Sequence, residues 1–437
     1  MKILFITKKW VIDPLGIAYL SSYLKQQGHE VKLVRPEDGV WEMIWSFKPD
    51  ILAYSVTTGL HKFYLDLNSE IKKRYKAISV FGGAHPTYFP EMKIDKDVDF
   101  IVRGEGEVIF ARLLERIGEG WWSEEKEFYS LFLVKNLDEL PFPDRELIYQ
   151  FPENHKNRIK NVMTSRGCPF KCNYCYNSLY QKLYGKDFTI RYRSVDNVIK
   201  ECLELKKYPL EVIFFADDEF VANKQRFLEF ALRYKEEVNV PYHCQIRIEL
   251  LDEDRIKWLK DSGCISLTFA IESGNEKMRK EVLGRNISNK RILDGCILLQ
   301  KYNIKYRTEN MIGLPFESFE EAWETLEFNI KCKPTIAWAS IFQPYPKTGL
   351  GEYCIEQGLF DGNVDSIKST FFEDTPLNVH KDYRKKIVNL QRLFGVVCSY
   401  PQLKGIARQL VEWEPNKLYS WIYSNWKKYC YDNKLYA

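Results

Sequence analysis

The sequence predicts an α/β protein made of two successive runs of alternating strands and helices, followed by a helical C-terminal region. Three observations carry that reading. Over residues 1–118, KILFIT, EVKLV, ILAYSV, AISVFGG and DFIVRG read as strands and the segments starting near Leu15, Phe63 and Val108 as amphipathic helices, the pattern of an open parallel sheet. From residue 161 to 345 the alternation returns, with strands at NVMTSRG, EVIFFAD, YHCQIRI, CISLTFAIE, YRTENMIGL and IAWASIFQ separated by helices. Residues 346–437 are helical in pattern and rich in aromatics, notably KLYSWIYSNWKKYCYD. Its Trp421, Tyr423 and Trp426 suit packing on the protein itself more than a pocket wall or a membrane surface. Between the two runs, residues 119–160 hold EEKEFY, LPFPDREL and FPENHKNR without steady periodicity, which reads as an interdomain connection.

A chain of 437 residues is long enough for two or three hydrophobic cores. A formal net charge of +4 is small for that length and gives no reason to expect a dedicated nucleic-acid surface. The first apolar run, ILFIT, is cut short by Lys8 and Lys9, and no later stretch has the length of a membrane span. A cytoplasmic protein is therefore expected. Eight of the 11 cysteines (Cys202, Cys244, Cys264, Cys296, Cys332, Cys354, Cys398 and Cys430) are scattered and read as small apolar residues in a reducing compartment.

The other three, Cys168, Cys172 and Cys175, fall together in SRGCPFKCNYC. A closed 4Fe-4S cluster takes four cysteines and a structural zinc site four protein ligands. This run supplies three, and the nearest upstream histidine, His155, lies in a polar stretch well before it. One iron of a four-iron cluster is thus left without a protein ligand, as a place for chemistry. Cys168 follows an apolar run and a glycine, as at the end of a strand, and Tyr174 precedes the last cysteine.

At this point the chain resembles the radical S-adenosylmethionine (SAM) enzymes. The resemblance implies a partial (β/α)6 barrel over residues 161–345, with the chemistry at the carboxyl ends of the strands. It also implies that SAM chelates the open iron through its amino and carboxylate groups, and that Tyr174 packs near the adenine. In FFADDEF, Asp217, Asp218 and Glu219 stand where family members hydrogen-bond the SAM amino group, and the choice among them is open. In AIESG, the resemblance gives Glu272 to ribose hydroxyls and Ser273 to the carboxylate end of SAM. Arg247 and Asn310, near neighbouring strand ends, read either as cofactor contacts or as barrel-lining groups. GLP at Gly313 and PYPKTGL at Pro344 recur in the family near the adenine and the barrel exit.

The strand ends of the first run carry Lys8 to Gly16, Thr57 and Thr58, Gly82, Gly83 and His85, and Gly104 and Glu105, which together form a candidate binding crevice. PLGIAYLSSYLKQQGHEV, PDILAYSV, FGGAHPT and DFIVRGEGEVIF resemble the Rossmann-like cobalamin-binding domain that precedes many radical SAM domains. An Asp-x-His-x-x-Gly signature for a histidine beneath cobalt is missing, since none of the six histidines has an aspartate two positions before it. His85 is accordingly read as a turn or crevice residue.

Together the resemblances imply a cobalamin-dependent radical SAM enzyme. They point to a methyltransferase that acts on an unactivated carbon through a 5'-deoxyadenosyl radical and methylcobalamin. The expected partners are a small-molecule, lipid or peptide substrate and an external electron donor such as flavodoxin or ferredoxin. A cobalamin-dependent radical cyclase, oxidative or rearrangement enzyme would carry the same motifs. An RNA methylthiotransferase would need three further cluster cysteines in the N-terminal domain, whereas this chain has none before Cys168. A non-catalytic iron-sulfur protein would leave AIESG and the acidic run unexplained.

Overall fold

A computed structural model describes residues 1–10, 12–129, 133–185, 188 and 190–432. The chain divides into two compact units. One comprises residues 1–161, 179–197 and 204–210, the other residues 162–178, 198–203 and 211–437.

In the first unit, β1 (Lys2–Ile6), β2 (Glu30–Val34), β3 (Ile51–Ser55), β4 (Ile78–Gly82), β5 (Phe100–Arg103) and β6 (Glu127–Tyr129) form one sheet in the order β2-β1-β3-β4-β5-β6. Every pairing is parallel. Successive residues of β1 feed two separate cores: Ile3 and Phe5 one, Leu4 and Ile6 the other. A strand buried on both faces has no polar side, hence the unbroken apolar runs in the sequence. The strand order reverses between β1 and β3, so the crevice for a ligand lies beyond their carboxyl ends.

Several elements of this unit depart from the sequence reading. A helix at Val40–Phe47 crosses between β2 and β3, and β6 and short helices at Arg145–Tyr149 and Pro152–Lys156 arise inside the stretch read as a connection. β6 is a short edge strand with a single charge, neutralised locally: Glu127 pairs with Lys93 at 2.7 Å and with Arg103.

The second unit is built on β7 (Ile159–Val162, whose last residue opens the unit), β8 (Val212–Phe215), β9 (Tyr242–Gln245), β10 (Cys264–Glu272), β11 (Lys305–Ile312) and β12 (Ile336–Ile341). They lie side by side in chain order, and the pairings from β8 to β12 are parallel. This is the partial barrel of six strand–helix units. Residues alternate between its two faces: Phe215, Cys244, Leu267, Phe269 and Ile312 are buried apolar groups, while His243, Ser266, Thr268, Arg307 and Glu309 form a polar face between them.

Helices at Gly349–Glu356, Lys381–Ser399, Lys404–Leu410 and Lys417–Asp432 make up the C-terminal region. β12 divides its side chains among them. Ala337, Ala339 and Ile341 pack on the helix Lys381–Ser399, and Ile336 and Trp338 on the last helix. Tyr423 and Trp426 are buried there, 6.2 and 6.4 Å from the Trp338 ring, whereas Trp421 is 63% exposed. Among the described residues no helix is long and apolar enough to cross a membrane.

Candidate active site around the cysteine loop

The cysteine loop follows β7 and ends in the helix that begins at Tyr176. Asn173 anchors it. Its N–H donates to the Leu283 carbonyl at 3.2 Å, its carbonyl accepts from the Leu350 N–H at 2.9 Å, and its side-chain amide donates to the Val282 carbonyl at 3.1 Å. Leu350 closes PYPKTGL, so that segment braces the loop. Cys172 is buried and Cys168 and Cys175 are half-buried. Burial pushes the Cys168 thiol up to about 12 and the Cys175 thiol up to about 11. Thiols so placed become thiolates only when a positive charge replaces the lost water, as iron does.

Among the described residues no three His, Cys, Asp or Glu side chains converge on a single ion. A four-iron cluster does not require that, because each thiolate takes a different iron. The donor set therefore fits such a cluster. The surroundings also fit a polar cofactor beside it, since Oε2 of Glu249, Nε of Arg285 and Nε of Arg307 are buried without a hydrogen-bond partner among the described residues.

The acidic run after β8 separates by geometry. Asp217 is fully buried. Its oxygens accept from the Thr164 N–H at 3.0 and 3.1 Å, from the Thr164 hydroxyl at 2.9 Å and from the Ser165 hydroxyl, which ties the end of β8 to the end of β7. Glu219 accepts from the N–H groups of Val221 and Arg247, and burial raises its pKa to about 8. Both carboxyls thus bind framework N–H and hydroxyl groups. Asp218 alone remains solvent-accessible. Protein crowds it closely enough to raise its pKa despite a hydrogen bond from Asn177, and its charge is felt at Cys168 and Cys175.

At the end of β10 the pairing with β11 slips between Ala270 and Glu272, and Glu272 adopts a φ of 68°. A non-glycine residue in the left-handed region is strained, and here the fold accepts that strain to aim one side chain. The Tyr174 hydroxyl donates to Oε1 of Glu272 at 2.7 Å, and the Arg285 guanidinium lies 3.5 Å from the same atom. Burial raises the Glu272 pKa, against the opposing pull of Arg285. The structure thus joins Tyr174 of the cysteine loop to Glu272 of AIESG.

Ser273 and Asn310 do not join them. Ser273 is fully buried and its hydroxyl accepts from the Asn275 N–H at 3.3 Å. Asn310 exchanges amide hydrogen bonds with Asn329 at 2.7 and 3.2 Å and donates to the Trp338 carbonyl at 2.9 Å, all barrel-wall contacts. Arg247 lies against the cysteine loop, its Nη1 3.5 Å from the Cys172 sulfur.

Arg285, Glu249, His243, Arg307 and Glu309 were missed by the sequence reading. His243 bridges Ser266 at 2.8 Å and Thr268 at 2.9 Å, and burial lowers its pKa to about 3. Arg307 pairs with Glu309 at 2.8 Å. The available signal was the charge alternation of YRTEN, which puts Arg307 and Glu309 on one face of a strand.

In the first unit, Thr57 and Gly83 are exposed and Gly82 and Gly104 half-buried at the strand ends. Gly83 has a φ of 97°, and a Cβ there would lie 2.9 Å from the Val56 backbone, so only glycine fits. Thr58 is buried, its hydroxyl 3.1 Å from Nδ1 of His85. The His85 ring is stacked between His61 at 4.1 Å and Phe89 at 5.1 Å. Glu105 departs from its expected place in the crevice. It forms a two-pronged pair with Arg191, 2.8 Å on each side, and accepts from the Val134 N–H at 3.0 Å. The remaining small groups and bare backbone fit a flat macrocycle approaching the strand ends.

A Rossmann-like sheet followed by a partial barrel with an open-iron cysteine loop defines an iron-sulfur α/β enzyme with a nucleotide- or macrocycle-binding accessory domain. Comparison with known proteins narrows this. Residues 162–328 match the Radical SAM superfamily and residues 1–114 the B12 binding domain. An uncharacterized methyltransferase of Pyrococcus horikoshii, PH0819, is 32% identical over 79% of this chain and 79% of its own. An anaerobic magnesium-protoporphyrin IX monomethyl ester cyclase of Rubrivivax gelatinosus is 26% identical over 77% of this chain and 65% of its own. The structure of the methyltransferase TsrM from Kitasatospora setae, solved with cobalamin and a [4Fe-4S] cluster, superposes with a TM-score of 0.67 at 16% identity, over 82% of this chain and 78% of that one. The chain belongs to the cobalamin-binding radical SAM family, and it is a radical SAM enzyme.

Proposed function

We propose that the enzyme is a methyltransferase that adds a methyl group to an unactivated carbon. The observation that carries this reading is the P. horikoshii relative, a methyltransferase by name, whose similarity spans 79% of both chains. When bound, the cluster with SAM supplies a 5'-deoxyadenosyl radical and cobalamin a transferable methyl group. Cys168, Cys172 and Cys175 hold the cluster. Asp218, the open carboxylate of its run, accepts from the SAM amino group, and Glu272, aimed by Tyr174 and Arg285, accepts from the ribose hydroxyls. Thr57, Gly82, Gly83 and Gly104 border the corrin.

The substrate is a small molecule, lipid or peptide, and flavodoxin or ferredoxin delivers electrons in the cytoplasm. Similarity to the cyclase favours a second reading, in which the substrate radical closes a ring instead. Reconstituted protein with cobalamin and SAM labelled in its methyl group, offered extracts of its host, separates them. A product that gains the labelled methyl supports the first. A product that loses hydrogen and gains no label supports the second.

A further inference from the structure

We propose that Arg247 tunes the reduction potential of the cluster by donating a hydrogen bond to the Cys172 thiolate. The proposal rests on the family's cluster being held by the three cysteines.

Four partners hold Arg247 in place. The Arg247 backbone N–H, just past the end of β9, donates to the buried carboxyl of Glu219, which follows β8. Nε donates to Oε1 of Glu249 at 2.5 Å, and Nη2 pairs with the same oxygen. The plane lies over the Phe170 ring, 3.8 Å from its centroid. Nη1 then stands 3.5 Å from the Cys172 sulfur. Phe170 and Cys172 belong to the same loop, so the loop carries its own platform for the cation that touches its ligand. With the side chain only 14% exposed, little water screens the contact.

A planar guanidinium can stack on Phe170, grip Glu249 and point an N–H at sulfur at once, and an ammonium cannot. One-electron reduction adds negative charge to a cluster that already carries three thiolates. Hydrogen bonds to the sulfurs and nearby charge are recognised levers on such potentials, and a donor at Cys172 favours the reduced form. Glu249 cancels the arginine's charge at longer range, so the local N–H to sulfur carries the effect. Arg247 is thus a positioning and tuning residue, and it needs no contact with SAM.

The test is a redox titration, followed by electron paramagnetic resonance, of anaerobically reconstituted full-length protein. Arg247→Met should make reduction at least about tenfold less favourable, a midpoint lower by about 59 mV for one electron. Arg247→Lys should fall less far. Arg247→Met leaves Glu249 uncompensated, so the double variant Arg247→Met/Glu249→Gln is measured beside it. A midpoint still below wild type assigns the effect to the N–H, and a return to the wild-type midpoint overturns the proposal. Phe170→Leu loosens the clamp without changing charge and should lower the midpoint by less. It decides the matter should the arginine variants fail to hold cluster. SAM affinity by equilibrium binding should stay within about twofold of wild type. A lost affinity at an unmoved midpoint overturns the proposal and makes Arg247 a SAM contact. Iron and sulfide analysis of the wild type stands apart: absence of a 4Fe-4S cluster there would sink the family reading itself.

Discussion

Glu272 is constrained in both backbone and side chain, with a left-handed φ and a carboxylate shared by Tyr174 and Arg285. Glu272→Ala should weaken SAM binding by roughly ten- to hundredfold, the loss of a charge-assisted hydrogen bond worth about 1.5–3 kcal/mol, with iron content unchanged. Equilibrium binding checks it, and an unchanged affinity would return Glu272 to the framework. Replacing Cys168, Cys172 and Cys175 together by alanine should instead abolish the cluster, read by iron and sulfide analysis. The chemistry of such residues was legible in their types, but their direction was not. Asp217, Asp218 and Glu219 are adjacent and alike in sequence, and only the hydrogen bonds from Thr164, Ser165, Val221 and Arg247 show that two of them are spent. A residue outside the site gives a pH test. Burial raises the Glu317 pKa from 4.5 to about 8, against hydrogen bonds from the Gly313 N–H and the Tyr383 hydroxyl. A carboxyl with a raised folded-state pKa contributes its stability fully below 4.5 and loses it as pH rises toward 8. Glu317→Gln should therefore flatten part of the decline in unfolding free energy across that window, by an amount on the order of a few kcal/mol. Parallel curves for variant and wild type would mean that Glu317 does not titrate there.

Among the elements, strands whose residues are buried on both faces were legible, because their apolar runs have no other stable home. For two of the elements that hid, the physical reason is plain. The helix Val40–Phe47 starts after Gly39 and ends at Lys48, with no side-chain cap to announce it. β6 is only three residues long, and its Glu127 is paired with Lys93 and Arg103 far away in sequence. The last helix was legible as a packed aromatic face, but its partner was not. Gly395, inside the helix Lys381–Ser399, lies against Trp426, and a Cβ there would fall 2.1 Å from the indole. Helix propensity alone would make Gly395→Ala stabilising by about 0.5–1 kcal/mol. Overpacking typically costs about 1–3 kcal/mol, so net destabilisation is expected, seen as a lower chemical-denaturation midpoint. Adding Trp426→Leu should recover part of the loss. A stabilised single variant would show that the last helix yields without cost.

For the whole molecule, two runs of strand–helix alternation correspond to two sheets, yet the units are not continuous in sequence. Residues 179–197 and 204–210 belong to the first unit. No local pattern marks this, because it depends on distant pairings such as Arg191 with Glu105. The placement of histidines in the first unit bears on how cobalamin is held. A protein ligand to cobalt needs an imidazole nitrogen with a lone pair directed into the crevice. His85 is 3% exposed, stacked between two rings, with Nδ1 beside Thr58. His61 is 5% exposed, and its Nδ1 lone pair accepts the Gly59 N–H at 3.3 Å. Both rings are buried and engaged with neighbouring groups of the wall. Reconstitution with cobalamin should therefore yield a bound corrin whose cobalt(II) resonance shows no axial nitrogen splitting from protein, and His61→Ala and His85→Ala should leave that spectrum unchanged. Without a strong axial donor the cobalt is easier to reduce to the nucleophilic state that takes methyl from SAM. A nitrogen-split spectrum that either substitution removes would prove a histidine ligand. If no corrin binds even at excess, the methyltransferase proposal loses its methyl carrier.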